Sequence, residues 1–117
     1  MISAPSGAKI VVATKPVDFR RGIDGLASLV QQALKANPFC GDLFIFRCRR
    51  ADRIKILGWD GTGLWLYQKR LEQGRFEWPP VRDGVVTLSA AQLSMLLEGL
   101  DWSRVKPITI KTPLRVC

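Results

Sequence analysis

Leu43-Phe44-Ile45-Phe46-Arg47-Cys48-Arg49-Arg50-Ala51-Asp52-Arg53-Ile54-Lys55-Ile56 interleaves β-favouring apolar residues with cations at a period of two. Successive side chains of a strand point to opposite faces, so Arg53 and Lys55 share one side of this ribbon while Ile54 and Ile56 share the other. Arg47 and Arg49 line up in the same way. Asp60-Gly61 supplies the turn chemistry of a hairpin, and Leu64 to Arg70 runs back as a third strand ending in Lys69-Arg70. The stretch predicts an antiparallel meander with one apolar and one basic side.

Towards the N-terminus, Lys9 to Ala13 reads as a short strand stopped by Pro16, behind a flexible tail over 1–8. From Ile23 the period changes to 3.6: Leu26, Leu29, Val30, Ala33 and Leu34 fall on one helical face, Asp24 complements the first turn, and Asn37-Pro38 ends the helix. Towards the C-terminus, Glu72 to Arg75 is a turn, and Phe76-Glu77-Trp78 is expected as a short edge strand before Pro79-Pro80 blocks further pairing. Val85 to Leu88 is extended. Ser89-Ala90-Ala91-Gln92 then matches a capping box, with Leu88 and Leu93 placed as a hydrophobic staple. Leu93, Leu96, Leu97 and Leu100 form the stripe of this second helix, and Trp102 is an anchor back onto the core. With no repeat or linker, the expectation is one α+β domain with a core over about 9–102. It contains a meander of three to four strands, an N-terminal strand and two packing helices, followed by a basic tail over 103–117.

Eighteen Lys and Arg against ten Asp and Glu leave the 117-residue chain at +8, and the commonest physical use of such an excess is attraction to a polyanion. An acidic membrane surface would call for a basic amphipathic helix, which neither helical segment provides. Nucleic acid is the favoured partner. Histidine is absent, and Cys40, Cys48 and Cys117 lack paired ligand spacing, so no metal or cofactor is expected. Three unpaired thiols fit a reducing cytoplasm, and neither an export signal nor a membrane-spanning run is evident.

Lys15-Pro16-Val17-Asp18-Phe19-Arg20-Arg21-Gly22-Ile23-Asp24-Gly25-Leu26, Asp42-Leu43-Phe44-Ile45-Phe46, Lys55-Ile56-Leu57-Gly58-Trp59-Asp60-Gly61 and Gly63 to Leu71 together resemble one family. It is the small TnpB-type accessory protein of IS sixty-six-type bacterial insertion sequences, and the likeness runs from about Ile10 to Trp102. Gly74-Arg75-Phe76, Trp78-Pro79 and Leu88-Ser89 belong to it as well. The resemblance implies a protein encoded beside a separate, larger transposase and serving transposition. It carries over no catalytic residue. Between the first two ribbon strands the sequence departs from the family's pattern with Arg49-Arg50-Ala51-Asp52-Arg53, though the basic character is kept.

The candidate DNA-binding residues are Arg47, Arg49, Arg50, Arg53 and Lys55 on the ribbon, Lys69 and Arg70 at its end, and Arg20 and Arg21 before the first helix. Five ribbon cations offset by Asp52 alone favour phosphate contact over a merely solvated face. Arg20 and Arg21 oppose the helix dipole, so either a phosphate or ion pairing with Asp18 and Asp24 must compensate them. Trp59, Trp65, Tyr67, Phe76 and Trp78 are assigned mainly to packing, base stacking being the other use of such residues. The acids are scattered, and only a spatial meeting of Asp18, Asp24 and Asp60 would make a metal-dependent nuclease site. The reading is therefore a non-catalytic factor that binds DNA at the element ends and assists the transposase. Its alternative is a module whose basic surface docks on an acidic region of the transposase or of another accessory protein without a DNA role; exposure of Leu93 and Leu97 would point to a partner or a dimer.

Overall fold

The computed structural model describes residues 7–81 and 85–104. In chain order the elements are β1 (Ile10–Ala13), α1 (Ile23–Gln32), β2 (Leu43–Arg47), β3 (Arg53–Trp59), β4 (Leu64–Arg70), β5 (Val85–Leu88), α2 (Ala90–Leu97) and a single 3-10 turn, Trp102–Arg104. The strands form one five-stranded sheet in the order β4-β3-β2-β1-β5. The meander is present: β2 pairs antiparallel with β3, and β3 with β4. The rest of the sheet goes beyond the expected meander of three to four strands with an N-terminal strand, making a five-stranded mixed sheet. β1 lies parallel to β2, with Val11 opposite Phe44, because α1 carries the chain back across the sheet before β2 begins. The last strand is Val85–Leu88, which pairs antiparallel with β1.

Phe76-Glu77-Trp78 is not a strand. Phe76 instead donates its amide to the Ala51 carbonyl at 2.7 Å and buries its ring, and Pro79 and Pro80 leave the segment without the amides a ladder needs. The two tails lie outside the described residues, except that residues 7 and 8 lead into β1 and 103–104 complete the 3-10 turn.

Both faces of the sheet are covered, which is why the strands read as nearly continuous apolar runs. Val11, Phe44, Phe46 and Leu57 pack under Leu26, Ala27 and Val30 of α1. Ile10, Val12, Leu43, Ile45, Ile54 and Ile56 pack under Leu93, Leu96 and Leu97 of α2, together with Phe76 and Trp102. Each fully buried large side chain contributes about 1.5–3 kcal/mol. The leucines of α2 thus face inward. This helix starts as expected: Ser89 accepts from the Gln92 amide at 3.1 Å, and the Gln92 side chain accepts from the Ser89 amide at 2.8 Å. Loss of such a cap costs about 1 kcal/mol.

α1 also starts as expected, with Asp24 in its first turn, but closes several residues before Asn37-Pro38. Lys35 takes a left-handed φ of 54°, and the amides of Leu34 and Ala36 reach back to the carbonyls of Leu29 and Val30. No helix among the described residues is long and apolar enough to cross a membrane.

Candidate functional site

The parallel alignment of β1 and β2 brings the carboxyl ends of β1, β2 and β4 to one end of the sheet, along with the start of β3. Three connections meet there: residues 14–22 leading to α1, the β2–β3 loop over 48–52, and the segment 71–81. These carry or adjoin Lys15, Arg20, Arg21, Arg47, Arg49, Arg50, Arg53, Arg70 and Arg75. The amide of Val17 donates to the Arg47 carbonyl at 3.0 Å and ties the first connection to the second. α1 begins at this end, so its exposed amides add to the positive potential. Open α/β sheets characteristically bind ligands outside the carboxyl ends of their strands.

The β2–β3 loop is built to hold its arginines outward. Ala51 takes a left-handed φ of 59°, its amide bonds to the Cys48 carbonyl at 3.1 Å, and the Cys48 thiol donates to Asp52 Oδ1 at 3.1 Å. That thiol contact, ahead of the charges of Arg53 and Arg50, holds the Asp52 carboxyl below its ordinary range. Asp52 and Ala51 are in turn fixed through their carbonyls, which accept from the amides of Leu71 and Phe76. Arg49 and Arg50 project from the tip and Arg53 from the start of β3, all exposed and none held by an ion pair among the described residues. Arg70 sits opposite Arg53 in the β3–β4 register and is paired with Glu72 at 3.3 Å.

The two lysines of the predicted basic face are used by the protein itself. Lys55 lies on the α1 side of the sheet, only 6% exposed, where its Nζ donates to the carbonyls of Phe19 at 2.7 Å and Arg21 at 2.9 Å over the Phe19 ring. Lys69 lies on the other side and donates to the Leu97 carbonyl at the end of α2, where a cation complements the dipole. The meander therefore has no free basic side, because each face that the alternation marks as polar is roofed by a helix or a loop. Of the predicted ribbon cations, those left exposed lie at the end of the sheet instead.

Arg20 is compensated as one of the two sequence-level readings held. Its guanidinium meets Asp18 Oδ2 at 2.7 Å, and this contact holds the Asp18 carboxyl at about 2. The Arg21 guanidinium makes a long contact, 3.5 Å, to the Gly25 carbonyl. Asp60 lies at the opposite end of the sheet in the β3–β4 turn. It accepts from the amides of Thr62 and Gly63 and from the Thr62 hydroxyl, which depress its carboxyl. Asp18, Asp24 and Asp60 do not meet, and among the described residues no group of three or more His, Cys, Asp or Glu is placed to hold a metal ion.

The aromatic side chains are structural: Trp65, Tyr67 and Trp78 pack against the α2-side core, and Trp59 stands edge-on to Phe39 with ring centres 5.4 Å apart.

A cleft of about 470 Å³ opens between the β2–β3 loop and the segment 75–81. Arg47, Arg75 and Glu77 supply its polar lining, and Trp78, Pro79, Pro80 and Val81 form an apolar wall. Arg47 leaves β2 on the α2 side. Its Nη1 donates to the Arg49 carbonyl at 3.2 Å, while its Nε is buried with no partner. Arg75 is a cation the sequence-level site missed. Its position beside Arg47 depends on the bond between Phe76 and Ala51, which no local pattern announces.

The family model described as IS66 Orf2 like protein matches residues 8–107. Two proteins of Sinorhizobium fredii (strain NBRC 101917 / NGR234) are similar over most of their length. The uncharacterised protein y4jC is 51% identical over 99% of both chains, and the uncharacterised protein y4hO is 43% identical over 87% of this chain and 89% of its own. No solved structure matches significantly.

Proposed function

The chain belongs to the IS66 Orf2-like family of insertion-sequence accessory proteins, and from that premise we propose that it is a non-catalytic cytoplasmic factor that binds DNA at the ends of the element and assists the separate transposase there. The observation that carries the reading is the set of exposed arginines at one end of the sheet that have no ion-pair partner among the described residues, above all Arg49, Arg50 and Arg53. Phosphates are their natural counter-charges, and the net charge of +8 would draw the protein to a polyanion at long range. Arg21 and Arg70 flank the same surface. Lys55 and Lys69 are left out of the contact set because their ammonium groups are already bound by carbonyls. Burial of Leu93 and Leu97 removes the apolar patch that would have pointed to a partner or a dimer at that helix.

The test is a fluorescence-anisotropy titration against a terminal inverted-repeat duplex and a scrambled duplex at two salt concentrations, beside an Arg49→Ala/Arg50→Ala/Arg53→Ala variant. Salt-sensitive binding that the variant loses is the expected result, and tighter binding of the repeat would show specificity. Failure of the native protein to bind either duplex would overturn the reading.

A further inference from the structure

The loop arginines account for contact with a regular phosphate backbone, but the cleft beside them has a composition that backbone contact does not explain. One side carries Arg47 and exposed Arg75, and the other is the apolar wall ending in Val81, which is 56% exposed. A phosphate needs only the cations. The wall needs a flat apolar partner, and Glu77, which lines the same space, is unfavourable to a bare polyanion and favourable to a hydrogen-bond donor. A nucleotide taken out of its duplex answers all three. Its phosphate meets the guanidinium groups, its base face lies on Pro80 and Val81, and an exocyclic amino group gives Glu77 a donor. A cleft of about 470 Å³ admits one such unit, not a double helix.

The wall is also held in place, as a recognition surface requires. Trp78 Nε1 donates to the Ala13 carbonyl at 3.1 Å, and Trp102 Nε1 donates to the Glu77 carbonyl at 2.7 Å, so two indoles fix the strap whose outer side is the wall. On the floor, the amide of Phe76 is tied to Ala51. Arg47 reaches the cleft from β2, and its Nε is buried there without a hydrogen-bond partner.

We propose that this cleft is the binding site for a single unpaired nucleotide next to duplex DNA, Arg47 and Arg75 taking the phosphate and the Pro80–Val81 wall taking the base. The inference rests on the DNA-binding reading and specifies its ligand: the junction between duplex and single strand, as at a melted or cleaved end.

The experiment uses the full chain and two otherwise identical duplexes, one blunt and one with a short single-stranded overhang carrying 2-aminopurine next to the junction. The overhang duplex is expected to bind about tenfold tighter, the order that one base contact supports, with a change in 2-aminopurine fluorescence. Val81→Ser leaves the charge unaltered and is expected to abolish both the preference and the fluorescence change while leaving blunt-duplex affinity as it was. Arg75→Ala is expected to reduce the preference, and Arg49→Ala/Arg50→Ala to weaken both duplexes alike. Val81 and Arg75 are exposed, so both variants should unfold at the native temperature. Equal binding of the two duplexes by the native protein, or a preference that survives both Val81→Ser and Arg75→Ala, overturns the cleft assignment and leaves duplex binding standing. Binding of neither duplex overturns the underlying reading and the cleft with it.

Discussion

Trp65 lies across the backbone of Gly58, its partner in the β3–β4 register, so closely that a Cβ on Gly58 would stand 2.1 Å from Trp65 Cζ2. The indole, partly buried on the edge strand, packs against the α2-side core. Gly58→Ala is expected to destabilise the protein by about 1–3 kcal/mol, the usual cost of overpacking. Urea unfolding measures it. The double variant Gly58→Ala/Trp65→Leu should recover part of the loss, and additive effects of the two changes would show that the contact is not the cause.

Lys55 holds the connection before α1 by two carbonyls from within the protein. Lys55→Met keeps the length of the stem and strips the donors, leaving the Phe19 and Arg21 carbonyls without their partner. A loss of about 1–3 kcal/mol is expected in thermal or urea unfolding. A residue on a free solvated face would cost almost nothing, so an unchanged midpoint would contradict the buried arrangement.

Arg49 and Arg50 stand clear of the protein, so the Arg49→Ala/Arg50→Ala variant should unfold at the native midpoint. Its DNA affinity should fall, and the slope of log K against log salt should flatten by about 2, roughly one unit for each phosphate contact removed. An unaltered slope would place the DNA elsewhere on the molecule.

Asp18 neutralises Arg20 across an exposed ion pair. Its folded value of about 2 lies below the ordinary 3.8. The pair's contribution to stability is therefore complete above pH 3.8 and is lost as the pH falls towards 2. At neutral pH, Asp18→Asn sets Arg20 free. Tighter DNA binding, by roughly twofold at low salt, and a salt slope steeper by about 1 are expected if Arg20 faces a phosphate. Unchanged binding would confine Arg20 to local pairing.

The meander and the cap of α2 were legible in the sequence because their signals are local: alternation over a strand, Asp60-Gly61 at a turn, Ser89 and Gln92 three residues apart. The partner of β1 was not, since nothing in Lys9 to Ala13 distinguishes a parallel neighbour from an antiparallel one. Early closure of α1 was hidden because Lys35 adopts the left-handed conformation that glycine would have advertised. Phe76 to Trp78 reads as a strand from its aromatic content, yet it is held by side-chain indoles and one amide rather than by a ladder.

Of the candidate site, the loop arginines were recognisable from charge and turn chemistry. Lys55 was misplaced because its acceptors belong to residues more than thirty positions upstream. Arg75 needs the tertiary contact of Phe76 to reach Arg47.

β1 is an inner strand although it is made first, and both of its neighbours are supplied later, β2 after the crossover and β5 from the far part of the chain. During synthesis the hairpins of β2, β3 and β4 close over short loops, whereas β1 has one bare edge until residues 85–88 leave the ribosome. The nascent chain thus carries an unpaired apolar strand edge through most of its production. Completion of the sheet is a late event that joins β5 to β1, and until then the open edge of β1 is where aggregation competes with folding.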